Sequence, residues 1–444
     1  MSVDAAAFQG FRDKVGQLRA SARPAPIPPE TRVARAKAVF RRRLDAGQAT
    51  YLETCIHCGM CAEACHFFEA TGDGKYTPIY KVDLLRRYYR RELAPMRWLR
   101  RLVMRDITAK DLEDWQELVY DSCTQCGRCD MICPMGIHIS PMIGIMREAL
   151  AEAGLQPVEQ GALAKEINEH GTLLGIGAET YRAVAAELRG RGVEVPLDKP
   201  RADVMVLMNA MDAAVFKDSI AATARVMSRL GLDWTIRTGA GDSAAYDWTS
   251  GDERTHAAMT RRIIEDAIAA GARTVIVPEC GHGYAALRWG GANAYGKPLP
   301  FEVLAISEFV GRELKSGRLK VKKVTAGKSV TYHDPCKVGR WSGVLDEPRQ
   351  ALAAIGVEVR EMESHAKTNY CCGGGGGVFL NERAAKLRQG AFQIKMKEAD
   401  ATGAGSVVTA CGHCRMTFMA GAQQANWQTP IESLVELVAE NLAE

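Results

Sequence analysis

Eight of the fourteen cysteines fall into two near-identical runs, Cys55-Ile56-His57-Cys58-Gly59-Met60-Cys61-Ala62-Glu63-Ala64-Cys65 and Cys123-Thr124-Gln125-Cys126-Gly127-Arg128-Cys129-Asp130-Met131-Ile132-Cys133-Pro134. Both read C-x2-C-x2-C-x3-C. Three thiolates at this spacing can hold three corners of a cubane from one loop, and the fourth, carried into the following helix, reaches the other cluster. The spacing predicts one [4Fe-4S] cluster on Cys55, Cys58, Cys61 and Cys133 and a second on Cys123, Cys126, Cys129 and Cys65. Zinc ligands come instead as two Cys/His pairs a dozen or more residues apart. Gly59 and Gly127 follow the second cysteine of each run, where the backbone must turn tightly around sulfide. His66 stands where Pro134 follows the second run, a small departure that leaves all four thiols in place.

The 444 residues, 47% of them hydrophobic, can bury two or three cores. No N-terminal apolar stretch reads as a signal peptide, and no run approaches the ~18 apolar residues of a spanning helix. Thiol ligands in this number fit a reducing compartment, so a cytoplasmic location is expected. A net charge of +4 does not argue for nucleic acid. Basic charge is uneven, however. Arg86-Arg87-Tyr88-Tyr89-Arg90-Arg91 is followed by Arg97, Arg100, Arg101 and Arg105, with Trp98, Leu99, Leu102, Val103 and Met104 interleaved. This reads either as a solvated face offsetting cluster charge or as a docking surface for an acidic electron-transfer partner or lipid headgroups. Arg32, Arg35, Lys37 and Arg41-Arg42-Arg43 invite the same two readings.

Organisation follows from composition and periodicity. Residues 1–29, with Pro24, Pro26, Pro28 and Pro29, read as a mobile arm ending in an extended linker. From 30 to 150 the pattern is helical wherever the cysteine loops do not interrupt it, as in Ala36 to Leu44 and Pro141 to Leu150, giving a helical two-cluster ferredoxin-like domain. Residues 151–200 read as a connector. Thereafter short β-branched runs alternate with amphipathic stretches, the signature of parallel strands with crossover helices. The expected class is α plus α/β: the helical domain, then two pseudo-repeated α/β halves over 201–315 and 325–444.

The repeat has matching loops. Glu279-Cys280-Gly281-His282-Gly283 aligns with Ala410-Cys411-Gly412-His413-Cys414, each after an apolar run, and Pro300-Phe301-Glu302 aligns with Pro430-Ile431-Glu432, read as the starts of matching helices. Two such halves place function between them, at the carboxyl ends of the strands. Only the second half keeps a full cysteine set: Cys336 after a strand, the pair Cys371-Cys372 opening Gly373 to Gly377, and Cys411 with Cys414. A glycine run can be a flexible linker, but beside a cysteine pair it reads as backbone packed on a bulky cofactor, with Gly373 and Gly374 closest to it.

The C-x34-CC-G-x37-C-x-x-C arrangement resembles the cysteine-rich CCG domain of heterodisulfide reductases. With two ferredoxin runs in front, residues from about 50 to 440 resemble the fused D-type subunit of that family and its DsrK-type relatives in sulfur-metabolising membrane complexes. The resemblance implies a non-cubane [4Fe-4S] cluster on Cys336, Cys371, Cys372, Cys411 and Cys414. It also implies a membrane cytochrome b or other quinone-linked subunit at one end, which would hold the chain peripherally on the cytoplasmic face. At the other end it implies a thiol or disulfide substrate, including a small sulfur-carrier protein. The chain departs from double-CCG members because the matching places near Ala210, Met211 and Thr238 to Ser243 lack cysteine, and Gly283 replaces the partner of Cys280.

Breaking a disulfide takes two electrons while cubanes deliver one at a time, so the expected mechanism needs a site that holds a half-reduced sulfur species. Electrons are expected to pass through two cubanes to the non-cubane site, where a disulfide or trisulfide is reduced or a dithiol oxidised. Cys280, facing that site across the pseudo-twofold, is read as either a buried hydrophobe or a cleft residue. His282, His333 and His413 are candidate proton donors or thiolate stabilisers, though each alone is more often structural. Rival readings are the iron-sulfur relay of a glycolate or lactate oxidase and a non-catalytic electron-transfer subunit. Gly175-Ile176-Gly177 lacks the third glycine of a dinucleotide fingerprint.

Overall fold

Two long helices frame the first third of the chain in a computed structural model that describes residues 5–23, 25–324 and 327–443. Helix Pro29–Arg43 has proline in its first turn, where no intrahelical N–H is needed, and three arginines in its last, complementing the carbonyl end of the dipole. It packs along Ile139–Glu152. Together they enclose Ala36, Val39, Phe40, Met142, Met146 and Leu150. The two cysteine runs and the arginine-rich helix Asp83–Glu92 lie between them in sequence.

Beyond residue 200 the β-branched runs form two four-stranded parallel sheets. The first contains β1 (Val204–Val206), β2 (Trp234–Ile236), β3 (Thr274–Val277) and β4 (Glu302–Ala305) in the order β2-β1-β3-β4. The second contains β5 (Ser329–His333), β6 (Glu358–Val359), β7 (Ser406–Thr409) and β8 (Ile431–Ser433) in the order β6-β5-β7-β8. Their central strands are buried on both faces, as parallel sheets covered by helices require. One hydrophobic core runs through both sheets.

Three expectations need correction. Pro300-Phe301-Glu302 and Pro430-Ile431-Glu432 do not start helices: they lead into β4 and β8, and the helices Ile306–Lys315 and Leu434–Glu440 follow. These are edge strands, where a preceding proline costs no ladder hydrogen bond. The expected mobile arm contains helix Ala5–Ser21, which buries Phe8 and Phe11 in the large core. The expected connector is also packed, because helices Val158–His170 and Ala178–Gly190 supply Leu163, Ile167, Tyr181 and Leu188 to that core. Residues 1–4 and Pro24 of the expected arm, and the expected start of the second half at 325, lie outside the described residues.

The halves meet through buried charge. Arg415 Nη1 lies 2.9 Å from Glu436 and 3.6 Å from Glu279, and Glu436 also accepts from Ser219 at 2.6 Å. Arg147 fastens the helical domain to both halves. Fully buried, it donates to the carbonyls of Val119, Cys123, Thr249 and Gly376 at 3.1, 2.7, 2.6 and 2.5 Å.

Candidate metal centre

Each cysteine run turns through two left-handed residues, His57 (φ 54°) and Gly59 (φ 82°) in the first, Gln125 (φ 52°) and Gly127 (φ 76°) in the second. The turns aim three thiols inward and start the short helices Met60–Glu63 and Arg128–Ile132. Cys55, Cys58, Cys61 and Cys133 line one cavity. Cys65, Cys123, Cys126 and Cys129 line another. The fourth cysteine of each run thus crosses to the cavity of the other. Gly127 is hemmed in as well, since a Cβ there would lie 2.8 Å from Trp341 Nε1.

The second cavity carries buried positive charge. Lys81 Nζ lies 3.6 Å from Cys65 Sγ and also donates to the Ser122 carbonyl. A buried ammonium is costly without an anionic partner, so a thiolate donor set suits this place. His66 lies wholly buried on the same wall, and neither ring nitrogen has a hydrogen-bond partner. Burial lowers its pKa to about 4, partly offset by Cys126.

The third cysteine group adjoins this wall. The Cys371 thiol neighbours those of Cys126, Cys336 and Cys372 closely enough to be shifted by them; Cys372 neighbours Cys414 in the same way, and Cys414 neighbours Cys411. All five residues of the second half are therefore in one buried sulfur network that touches the second ferredoxin-type loop. Thiol donation from Cys371 and Cys414 holds Cys372 well below the ordinary thiol range. His333 joins Cys372 and Cys414 in a set whose donor atoms all lie within 4.8 Å of one another.

The glycine run is packed rather than loose. Gly373, Gly376 and Gly377 have φ of 92°, 60° and 78°. A Cβ on Gly376 would lie 2.9 Å from the Thr124 backbone, and one on Gly374 would collide with Thr417 Oγ1. Backbone-to-backbone approach at Gly376 is what brings Cys371 to Cys126.

His282 and His413 hold this run from the other side. Gly376 N–H donates to His282 Nε2 at 3.1 Å. His413 Nε2 lies 3.1 Å from the Gly374 carbonyl, and its Nδ1 lies 3.1 Å from Tyr246 Oη. Burial lowers both histidine pKa values. Each commits its Nε2 to the loop, which makes them positioning residues in this arrangement.

Cys280 is fully buried opposite Cys411, and burial, then Cys411, raises its thiol pKa well above the usual range. Gly412 N–H donates to the Glu279 carbonyl at 2.6 Å, tying the two corresponding loops together. In the first half, Asp212 follows β1 and Asp242 follows β2, where the second half has its cysteines. Asp242 accepts from Ala210 N–H at 2.5 Å and Ala244 N–H at 2.7 Å, and burial lifts its carboxyl to about 6.

Sequence reasoning passed over several of these groups. Lys337 is completely buried, without a hydrogen-bond partner for Nζ, and lies 3.4 Å from the centre of the Trp341 ring. Burial lowers its pKa to about 8, while Cys336 and Cys126 oppose that shift. Arg340 and Trp341 donate to the Cys126 carbonyl at 2.9 and 3.1 Å. Their one legible sign was adjacency to Cys336 in sequence.

Comparison with known proteins agrees with this division. A 4Fe-4S dicluster domain family matches residues 51–137, and a cysteine-rich CCG domain family matches 330–419. The chain is 28% identical over 418 residues to the D-type subunit of the dihydromethanophenazine:CoB–CoM heterodisulfide reductase of Methanosarcina mazei, covering 90% of this chain and 96% of the relative. It is 23% identical to the Hdr-like menaquinol oxidoreductase iron-sulfur subunit of Archaeoglobus profundus, covering 88% of this chain and 80% of that one. It is also 23% identical to the glycolate oxidase iron-sulfur subunit of Escherichia coli, covering 88% and 94%. With a 4Fe-4S dicluster domain in front and a cysteine-rich CCG domain behind, the chain is an iron-sulfur protein similar over nine-tenths of its length to the D-type subunit of heterodisulfide reductase.

Proposed function

We propose that this chain is the electron-carrying and substrate-converting subunit of a heterodisulfide-reductase-like complex, reducing a disulfide or trisulfide or oxidising a dithiol. The observation that carries this reading is the unbroken sulfur contact from Cys126 through Cys371 and Cys372 to Cys414 and Cys411. Cys55, Cys58, Cys61 and Cys133 would hold one cubane, Cys65, Cys123, Cys126 and Cys129 the other, and the five second-half cysteines the non-cubane cluster. When bound, these groups supply one-electron carriage and an iron surface for substrate sulfur.

The protein's own part is placement and exclusion of water. Gly373 to Gly377 bring Cys371 and Cys372 against the dicluster domain, and His282 and His413 clamp that loop. Lys81 and Lys337 place buried positive charge beside ligand sulfurs, which favours the more reduced, more anionic state of a cluster. Cys280 completes the cleft wall opposite Cys411. The matching strand orders and the paired loops at 280–283 and 411–414 support an origin of the two halves by duplication, with ligation lost from the first.

The relatives' names associate them with dihydromethanophenazine and menaquinol, which supports a quinone-linked membrane partner; the cytoplasmic side is part of the proposal. The likeness to the glycolate oxidase iron-sulfur protein supports a second reading as a relay. Retention of five buried thiols in the second half favours the reductase. The test is Cys371→Ala or Cys372→Ala in purified holoprotein with an artificial donor and candidate disulfides. Loss of disulfide turnover with both cubanes still reducible is expected; retained turnover would overturn the assignment.

A further inference from the structure

Helix Arg97–Val103 is amphipathic, yet it turns its apolar side away from the protein. At 100° per residue, Trp98, Leu99, Leu102 and Val103 occupy one arc and Arg97, Arg100 and Arg101 the opposite one. An ordinary surface helix buries its apolar arc. Here Trp98 is 69% exposed, Leu102 and Val103 77% each, and the preceding Met96 61%, while no residue of the helix is buried. The arginine side faces the protein instead: Arg101 Nε donates to Glu92 at 3.1 Å and Arg100 reaches the Arg90 carbonyl at 3.5 Å.

Charge around the helix is net positive. Residues 86–105 contain eight arginines and one acidic residue, Glu92; Asp83, Asp106 and Asp111 from just outside pair with Arg86, Arg91, Arg87 and Arg105, and Glu92 pairs with Arg91 and Arg101, which leaves Arg90, Arg97 and Arg100 outside these ion pairs. The neighbouring helix Asp83–Glu92 links this patch to the first cysteine cavity, because Arg86 Nη1 lies 2.8 Å from His57 Nε2 and Tyr89 lies against Glu53, two residues before Cys55. Around that cavity Ile56, Met60 and Met135 are also exposed, as is Cys58.

We propose that Arg97–Val103 is a membrane-surface helix that docks the dicluster domain on anionic phospholipid. A tryptophan and aliphatic side chains on one arc, flanked by arginines, match the interface between acyl chains and phosphate headgroups. The cations outside those ion pairs, Arg90, Arg97 and Arg100, supply attraction to the anionic leaflet, and the apolar arc supplies shallow insertion. Among the described residues no helix is long and apolar enough to cross a membrane, so the attachment is peripheral. A protein partner would have to bring its own carboxylates to this patch, whereas an anionic lipid surface offers matching charge and apolar depth together. Lipid docking of this kind is independent of the disulfide chemistry proposed above.

The test is co-sedimentation of the full-length, cluster-loaded protein with vesicles of phosphatidylcholine alone and of phosphatidylcholine mixed with phosphatidylglycerol. Binding to the mixed vesicles only, weakened by salt, is expected. The Leu102→Glu/Val103→Glu variant should bind about tenfold more weakly. Both side chains are solvent-exposed, so its iron content and dithionite reduction should match the wild type and certify folding. Quenching of tryptophan fluorescence by brominated lipid should be lost in part in Trp98→Phe. The proposal is overturned if the wild type ignores phosphatidylglycerol vesicles, as a surface reserved for a protein partner would, or if the double variant binds them unchanged.

Discussion

The thiols of Cys126 and Cys371 face each other across the boundary between the dicluster domain and the cysteine-rich domain, close enough that each shifts the acidity of the other, Cys126 downward and Cys371 upward. Residues 245 positions apart in the chain are thereby joined sulfur to sulfur. A cluster ligated through Cys126 and one ligated through Cys371 would be neighbours with no intervening side chain. Substituting Cys126→Ser should therefore change the spectroscopic signature of the second-half centre as well as that of its own cubane. EPR of the variant checks this; a second-half signal identical to wild type would contradict the contact.

The approach of these thiols depends on Gly376. Its φ is 60°, and a Cβ would meet the Thr124 backbone at 2.9 Å. Gly376→Ala should destabilise the junction by about 1–3 kcal/mol, the usual range for backbone strain of this kind. The expected readouts are a lower urea midpoint and loss of iron from the second-half site, with the first cubane retained.

His282 accepts the Gly376 N–H through Nε2. A positioning role predicts that His282→Ala loses second-half iron while His282→Gln, which keeps an acceptor, retains a substantial part of it. The pH profile of turnover in His282→Gln should keep its wild-type shape. A shifted profile with full iron content would make His282 a proton donor instead.

Cys280→Ala removes a buried thiol facing Cys411 without removing a proposed ligand. Turnover should fall severalfold at unchanged iron content. An unchanged rate would leave Cys280 as a packing residue.

Glu279 makes a pH-dependent contribution to stability. Burial raises its carboxyl from the ordinary value of 4.5 to about 7, against the opposing pull of Arg415. Between those values the folded protein binds more protons than the unfolded chain, so this contribution falls as pH rises through that window. Glu279→Gln should remove the decline, and its urea midpoint relative to wild type should improve from about pH 5 to about pH 8. A constant difference across the window would contradict the assignment.

Much of the fold was legible because its signals are local. The runs at 55–65 and 123–133 state their own spacing, and strands such as Thr274–Val277 and Ser406–Thr409 stand out as β-branched runs between amphipathic stretches. The edge strands β4 and β8 were missed because they are three or four residues long, follow a proline and run directly into helices. Helix Ala5–Ser21 was missed although Phe8, Phe11, Val15 and Leu18 recur at helical spacing on its core side, because this narrow stripe stands among charged and small residues and just before a proline-rich stretch. The candidate cysteines were visible individually, whereas their convergence depends on contacts between distant segments. His66, Lys337 and Arg147 gave no pattern, since a single buried polar or charged group is defined only by what surrounds it.

The central claim is that the five second-half thiols hold a third, substrate-facing cluster fed from the dicluster domain. It is tested most directly by iron quantification and EPR on anaerobically purified protein, oxidised with and without candidate thiols. The account predicts about twelve irons per chain and a new paramagnetic signal in the oxidised, thiol-treated sample. About eight irons, with only reduced-cubane signals whatever the thiol, would contradict it and leave a two-cluster relay.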